Sequence, residues 1–167
     1  MILSEKINSK LSHANLTPTD FMLEKESQEY EACRFKIEER QIHFRKAKVT
    51  PKKEGLFVTF WKRIPSGIIA PFDENDDFSF LIIEVKNEID SGWFIFPKVI
   101  LTDKNIISTS LKEGKRGFRI YPTSSAPKSK QGLASQKWQL QYFSSKEAIS
   151  NSLKKSLDLQ KKSKIKM

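Results

Sequence analysis

The chain has 167 residues, 38% of them hydrophobic and 11% aromatic, with 12 Phe; that is enough apolar mass for one packed core and too much for a disordered polyelectrolyte. Its apolar strings, such as Phe80-Leu81-Ile82-Ile83, have strand length and fall short of the roughly 20 residues that span a bilayer. Lys and Arg number 30 against 20 Asp and Glu, a formal charge of +10, which favours an anionic partner, either nucleic acid or an anionic membrane surface.

Taken in chain order, residues 1–10 alternate polar and apolar types without the apolar stretch of a secretory signal. Asn15-Leu16-Thr17-Pro18-Thr19-Asp20 is a helix-start signal and predicts a short helix to about Glu29. Cys33, Phe35 and Ile37 alternate with Arg34, Lys36 and Glu38, the period-two pattern of a half-buried strand. Glu39-Arg40 reads as a tight turn into a second strand over 41–49, and the Pro51 to Gly55 stretch as another turn. Residues 56–63 predict a strand, 64–75 a loop, and 78–85 and 93–96 two further strands. The first of that last pair is nearly continuous in apolar residues, which places it centrally with both faces covered.

Residues 98–101 read as a helical turn, 117–121 as a short strand stopped by Pro122, and 123–132 as a mobile Ser/Pro/Lys loop. Ala134, Trp138 and Tyr142 recur every fourth residue, the stripe of a helix. Ser144 and Glu147 stand at capping-box spacing before a last helix with Ile149, Leu153 and Leu157 on its apolar side, and 160–167 is a lysine run expected to fray. Short turns between strands, with helices at the chain ends, predict an α+β fold with a mixed or mainly antiparallel sheet. The expected organisation is a single domain over 1–145 followed by a basic helix and tail over 146–167.

The charge is segregated. Residues 32–63 carry 10 Lys/Arg against 3 Asp/Glu, and residues 114–145 carry 6 against none, while the stretch between them is net acidic. If the two basic blocks meet in space they make one positive face. In the first, Arg45, Lys46, Lys48, Lys52 and Lys53 fall within nine residues beside Phe44. Such cations contact phosphates, with aromatics for stacking; the alternative is an edge strand that lysines guard against aggregation. In the second, Lys115, Arg116 and Arg119 accompany Gly114 and Gly117, and Arg119 shares a strand face with Tyr121; the alternative is an ordinary surface hairpin.

A third constellation, Asp76/Asp77 followed by Glu84-Val85-Lys86, has the residue types of the divalent-metal nuclease motif, in which two carboxylates hold Mg²⁺ and a lysine stabilises charge at the attacking water. The seven-residue gap from Asp77 to Glu84 is short for that motif, and a solvated ion pair at a strand end is the alternative. His43, on a strand face with Arg45, is expected at the surface, and Cys33, the single cysteine, is expected as a small buried hydrophobe that forms no internal disulfide and suits a reducing cytosol. One Cys and two His make no case for structural zinc, and no cofactor is implied.

Several strings together resemble the MepB-like protein family: Phe44-Arg45-x-Ala47-Lys48-x-Thr50-Pro51-x-Lys53-x-Gly55, Phe57-Val58-x-x-Trp61, Gly92-x-Phe94-Ile95-Phe96-Pro97-Lys98, Gly114-Lys115 followed by Arg119-x-Tyr121-Pro122, and Gln136-Lys137-Trp138-Gln139-x-x-Tyr142-Phe143. They run in order over about residues 29–143. The chain departs from the pattern at Trp93 and at Thr123-Ser124-Ser125. The resemblance implies a small bacterial cytosolic protein, named for a gene beside a multidrug efflux transporter and its repressor, with no catalytic activity attached. The cations on the matching strings are Arg45, Lys48, Lys53, Lys98, Arg119 and Lys137. They are the candidate site for nucleic acid or another polyanion. The alternative function is a Mg²⁺-dependent nuclease using Asp77, Glu84 and Lys86, and a role as an accessory to drug efflux follows from the resemblance alone.

Overall fold

The period-two alternation at residues 33–37 and the apolar string at 80–83 become strands of one six-stranded sheet, with a single strand between them. The computed structural model describes residues 2–165, with side chains through residue 162. Its elements are α1 (Leu3–Leu11), β1 (Thr19–Leu23), β2 (Cys33–Ile37), β3 (Arg40–Lys46), β4 (Lys48–Val49), β5 (Leu56–Thr59), β6 (Trp61–Arg63), β7 (Ile69–Pro71), β8 (Phe80–Lys86), β9 (Ser91–Pro97), α2 (Lys98–Asp103), β10 (Gly117–Ile120), α3 (Lys130–Leu140), β11 (Phe143–Ser145) and α4 (Ile149–Ile165).

The main sheet runs β1-β2-β3-β8-β9-β11. Its pairs are antiparallel except β3 with β8, which is parallel. A three-stranded sheet, β10-β5-β4, and the hairpin of β6 and β7 lie apart from it. The side-chain alternation of each strand sorts the core into two clusters. On one face, Phe35, Ile42, Phe44, Ile82 and Trp93 pack with Ile7 and Leu11 of α1 and with Ile149, Leu153 and Leu157 of α4. On the other, Leu81, Ile83, Val85, Phe94 and Phe96 pack with Leu56, Val58, Phe60, Phe118 and Ile120, with Trp138 of α3 against them. The result is an α+β fold with helices at both chain ends, as the sequence implies, and β8 is buried on both faces from Phe80 to Val85.

The departures have local causes. Residues 19–23 form edge strand β1, not a helix. Met22 and Leu23 are exposed, so this stretch has no apolar helical stripe to bury, and it takes ladder bonds from β2 instead, with a register break between Thr19 and Met22. The N-terminal helix comes earlier, where Ile7 and Leu11 stand four apart and face the core. The strand expected over 41–49 breaks at Ala47, whose N–H binds Glu84 O at 3.0 Å, and the chain then crosses to the second sheet. The strand expected over 56–63 breaks at Phe60, which is buried and donates its N–H to Arg116 O at 2.9 Å. The loop expected over 64–75 contains β7.

Two turn readings fare differently. The turn expected at Glu39-Arg40 lies one residue earlier: Glu38 and Glu39 take positive φ (51° and 66°), the geometry that matches the twist of a two-residue hairpin, and Arg40 already belongs to β3. The capping box at Ser144 does not form: Ser144 lies in β11, and its Oγ bonds Ser152 Oγ at 2.9 Å. Helix α3 stops at Leu140, so Tyr142 lies beyond it, although Tyr142 and Trp138 both pack on Phe96. Helix α4 continues through most of the lysine run expected to fray, and Lys161 pairs with Glu38 at 2.9 Å. Residues 166 and 167 of that run lie outside the described residues.

Candidate anion-binding sites

The nuclease trio does not assemble. Asp77 is an exposed residue ahead of β8, whereas Glu84 lies near the far end of that strand. The strand steps from Phe80 to Glu84 alone span roughly 13 Å, and among the described residues no cluster of carboxylates, His or Cys could hold a metal ion. Glu84 is 4% exposed and belongs to the helix-covered face, where its carboxylate accepts from Lys6 Nζ of α1 and from Trp93 Nε1 at 3.3 Å. It is the anchor of a structural ion pair, and Lys86 beyond it is exposed. The reason is the pleat: residue 84 has the parity of Phe80 and Ile82, both in the helix-side core.

The two basic blocks do meet. The small sheet pairs Lys48 of β4 with Phe57 of β5, and Phe57 with Arg119 of β10. These three share one outward face, while their neighbours Leu56, Val58, Phe118 and Ile120 are buried. Tyr30 meets Phe57 edge-on at 6.4 Å between centroids, and Lys48 Nζ stands 5.5 Å from the centre of the Tyr30 ring. The Arg119 guanidinium is partly committed to holding the neighbouring turn. It donates to Glu54 O at 2.8 Å, Gly55 O at 3.1 Å and Thr50 Oγ1 at 2.8 Å. Gly55 sits at φ +80°, and a Cβ there would come within 2.8 Å of Ile120 O, so the close approach of this turn to β10 requires glycine.

Beside that row runs a groove of about 430 Å³ between β10 and α3. Its lining includes Phe57, Lys104, Lys115, Arg119, Tyr121 and Trp138, and none of the lining residues is acidic. Lys104 Nζ lies 5.9 Å from the Trp138 ring centre, with Asp103 next to it at 3.9 Å. Aromatic rings and cations therefore line one trough, the combination that receives bases and phosphates of an unpaired strand.

The remaining candidates are dispersed. Lys53 is exposed in the turn after β4, and Lys137 is exposed on α3 outside the groove lining. Lys98 opens α2, donates to Asp76 O and stands 5.1 Å from the Phe78 ring. Lys104 and Trp138 belong to the groove but not to the candidate set. Their sequence signal was the cation-aromatic composition, spread over segments that only the tertiary fold joins.

Arg45 faces elsewhere. Arg34, His43 and Arg45 occupy one face of the β2-β3 pair, with Arg34 directly across from His43. They open into a separate cleft of about 430 Å³, walled by Glu24, Trp61 and Phe72. His43 is not at the surface: it is 5% exposed, ringed by Phe60, Phe72 and Phe78 with centroids 4.8–5.5 Å away. Burial, then Arg45 and Arg34, lower its pKa to about 3, so the ring is neutral at pH 7. Arg45 is 2% exposed and lies 5.4 Å from the Phe60 ring centre. Burial lowers its pKa to about 10 against the opposing pull of Glu24, so it keeps its charge. Its Nη1 donates to Phe44 O at 2.9 Å, while Arg45 Nε and His43 Nδ1 have no hydrogen-bond partner. The surface expectation for His43 failed because the rings of Phe60 and Phe72, at the two ends of the β6-β7 hairpin, and of Phe78 pack around it, long-range contacts with no signature around residue 43.

Among the described residues no helix is long and apolar enough to cross a membrane. A search of curated proteins finds no match. Among solved structures, the crystal structure of MepB is similar, at 34% sequence identity and a TM-score of 0.76, covering 87% of this chain and 97% of that one. The family model for MepB-like proteins matches residues 24–145, a span that takes in the three-stranded sheet, the groove and the buried Arg45 cleft, and the chain belongs to the MepB-like family.

Proposed function

We propose that this protein is a nucleic-acid-binding module whose contact surface is the groove between β10 and α3 together with the Lys48-Phe57-Arg119 row. The observation that carries the reading is a lining with three cations and several aromatic residues and no carboxylate, in a chain that holds 20 acidic residues. Phosphates would sit on Lys104, Lys115 and Lys48. Arg119, with part of its donor capacity in the turn, would hold the platform as much as touch the ligand. Bases would stack on Phe57 and Trp138, each stack contributing about 1–3 kcal/mol with little sequence preference. The single cysteine, buried as Cys33, supports a cytoplasmic setting. The efflux association implied by family resemblance would place this binding beside a transporter or its repressor, and a pull-down enriching neither would remove that part.

The test is fluorescence polarisation with a labelled single-stranded oligonucleotide at low ionic strength. Lys104→Ala and Lys115→Ala should each weaken binding by a similar factor on unrelated sequences, since phosphate contacts carry no sequence information. Unchanged binding in the double variant would place the ligand elsewhere, and no binding by the wild type would remove the reading.

A further inference from the structure

The cleft floored by His43 and Arg45 shares no lining residue with the groove, so what it binds does not depend on the nucleic-acid reading. We propose that this cleft is a binding site for a phosphate monoester, with the phosphate on the Arg34 and Arg45 guanidinium groups and the organic part against Trp61 and Phe72.

The first support is the state of Arg45. A guanidinium this deep is costly unless it is paired, yet among the described residues its side-chain hydrogen bond goes to the carbonyl of Phe44, its Nε has none, and no carboxylate forms a salt bridge with it, the Phe60 ring being its other neighbour. Glu24, a carboxylate of the lining, stands 3.9 Å from His43 Nδ1 and forms no salt bridge with Arg45. The second support is the balance of charge. Arg63 is held by Glu26, and Lys62 by Asp73 at 2.9 Å and Asp76 at 2.8 Å. Counting those two aspartates, Lys25, Arg34, Arg45, Lys62 and Arg63 stand against Glu24, Glu26, Asp73 and Asp76, so the cleft is net positive, and Arg34 and Arg45 are the cations of its floor that no carboxylate holds in a salt bridge.

The third support is geometry. Arg34 faces His43 across the strand pair and Arg45 follows two residues along the same face, so two planar guanidinium forks flank one neutral imidazole. Such forks fit the oxygens of a phosphate group, and the imidazole supplies a ring nitrogen without adding charge. Trp61 and a Phe72 stacked on Phe60, at 4.2 Å between centroids, give the cleft an apolar wall. Its size lies in the range of small-ligand pockets. Free phosphorylated metabolites and the 5′-phosphate end of a nucleic-acid strand share this chemistry.

Calorimetric titration of the full chain at low ionic strength tests the assignment, using inorganic phosphate, phenyl phosphate, benzoate, and a short oligonucleotide with and without a 5′-phosphate. Phenyl phosphate should bind more tightly than inorganic phosphate because of the aromatic wall, and about tenfold or more tightly than benzoate. Added affinity from the 5′-phosphate would name the strand end as the source, and its absence a free metabolite. Arg45→Met should weaken phenyl phosphate binding by about thirtyfold or more while leaving the ligand-free melting temperature unchanged or raised, since an apolar isostere relieves the buried charge. Arg34→Gln, at a half-buried position, should also weaken binding and is safe for the fold. Lys115→Ala in the groove should bind phenyl phosphate as the wild type does. No heat with phenyl phosphate, benzoate binding as tight, or full affinity retained in Arg45→Met would each overturn the proposal.

Discussion

His43 shows how position in the fold can override the ordinary chemistry of a residue. Above pH 6.5 its imidazole is neutral in the folded and unfolded chain alike. Below that the unfolded chain takes up a proton that the folded one refuses until about pH 3. Folding stability should therefore drop as pH falls through this window, by about 1.4 kcal/mol per pH unit from this one group. Urea midpoints measured from pH 7 to pH 4 check it: His43→Leu should flatten the slope, and an unchanged slope would mean that the ring ionises in place. Glu84 is the opposite case, a buried charge with its partners present. Glu84→Ala leaves Trp93 Nε1 and Lys6 without their acceptor and should cost about 1–3 kcal/mol, with oligonucleotide affinity unaltered; a stable variant that had lost oligonucleotide binding would return Glu84 to the functional set. Neither role was legible locally. Strand parity alone put Cys33 inside, but the same parity says nothing about which outward positions a second layer will cover.

Elements with a continuous apolar pattern were the readable ones. The β2 alternation, the two-sided burial of β8 and the Ile149, Leu153 and Leu157 stripe of α4 all follow from period and composition. What stayed hidden were breaks within long strands, at Ala47 and Phe60, because each goes with a hydrogen bond to a partner far along the chain, Ala47 N–H to Glu84 O in the main sheet and Phe60 N–H to Arg116 O just ahead of β10. Cys33 gives α4 docking a direct reporter. It lies in the core cluster that α4 covers, and burial pushes its thiol up to about 12, so it should resist thiol reagents in the native chain. Leu153→Ala should cost about 2–5 kcal/mol and accelerate Cys33 labelling in step. Labelling as slow as in the wild type, with stability lost, would show that α4 is not what shields the thiol.

At the scale of the molecule, the sequence showed two basic blocks but not their distance apart. The fold brings Lys48 and Arg119 to either side of Phe57, and sends Arg45, from the same sequence block as Lys48, to a different cleft. Pairing of β4 with β5 and of β10 with β5 spans more than sixty residues of chain, which is why charge segregation in the sequence could suggest a shared face without fixing it. We propose that a carboxylate-poor groove of this basic, MepB-like chain holds an unpaired strand by its phosphates. The salt dependence of oligonucleotide affinity tests it most directly. With about four phosphates held by Lys48, Lys104, Lys115 and Arg119, log affinity should fall against log salt with a slope of about −3, and Lys104→Ala/Lys115→Ala should bring it to about −1.4. A flat dependence, or the same slope in the wild type and the double variant, would contradict it.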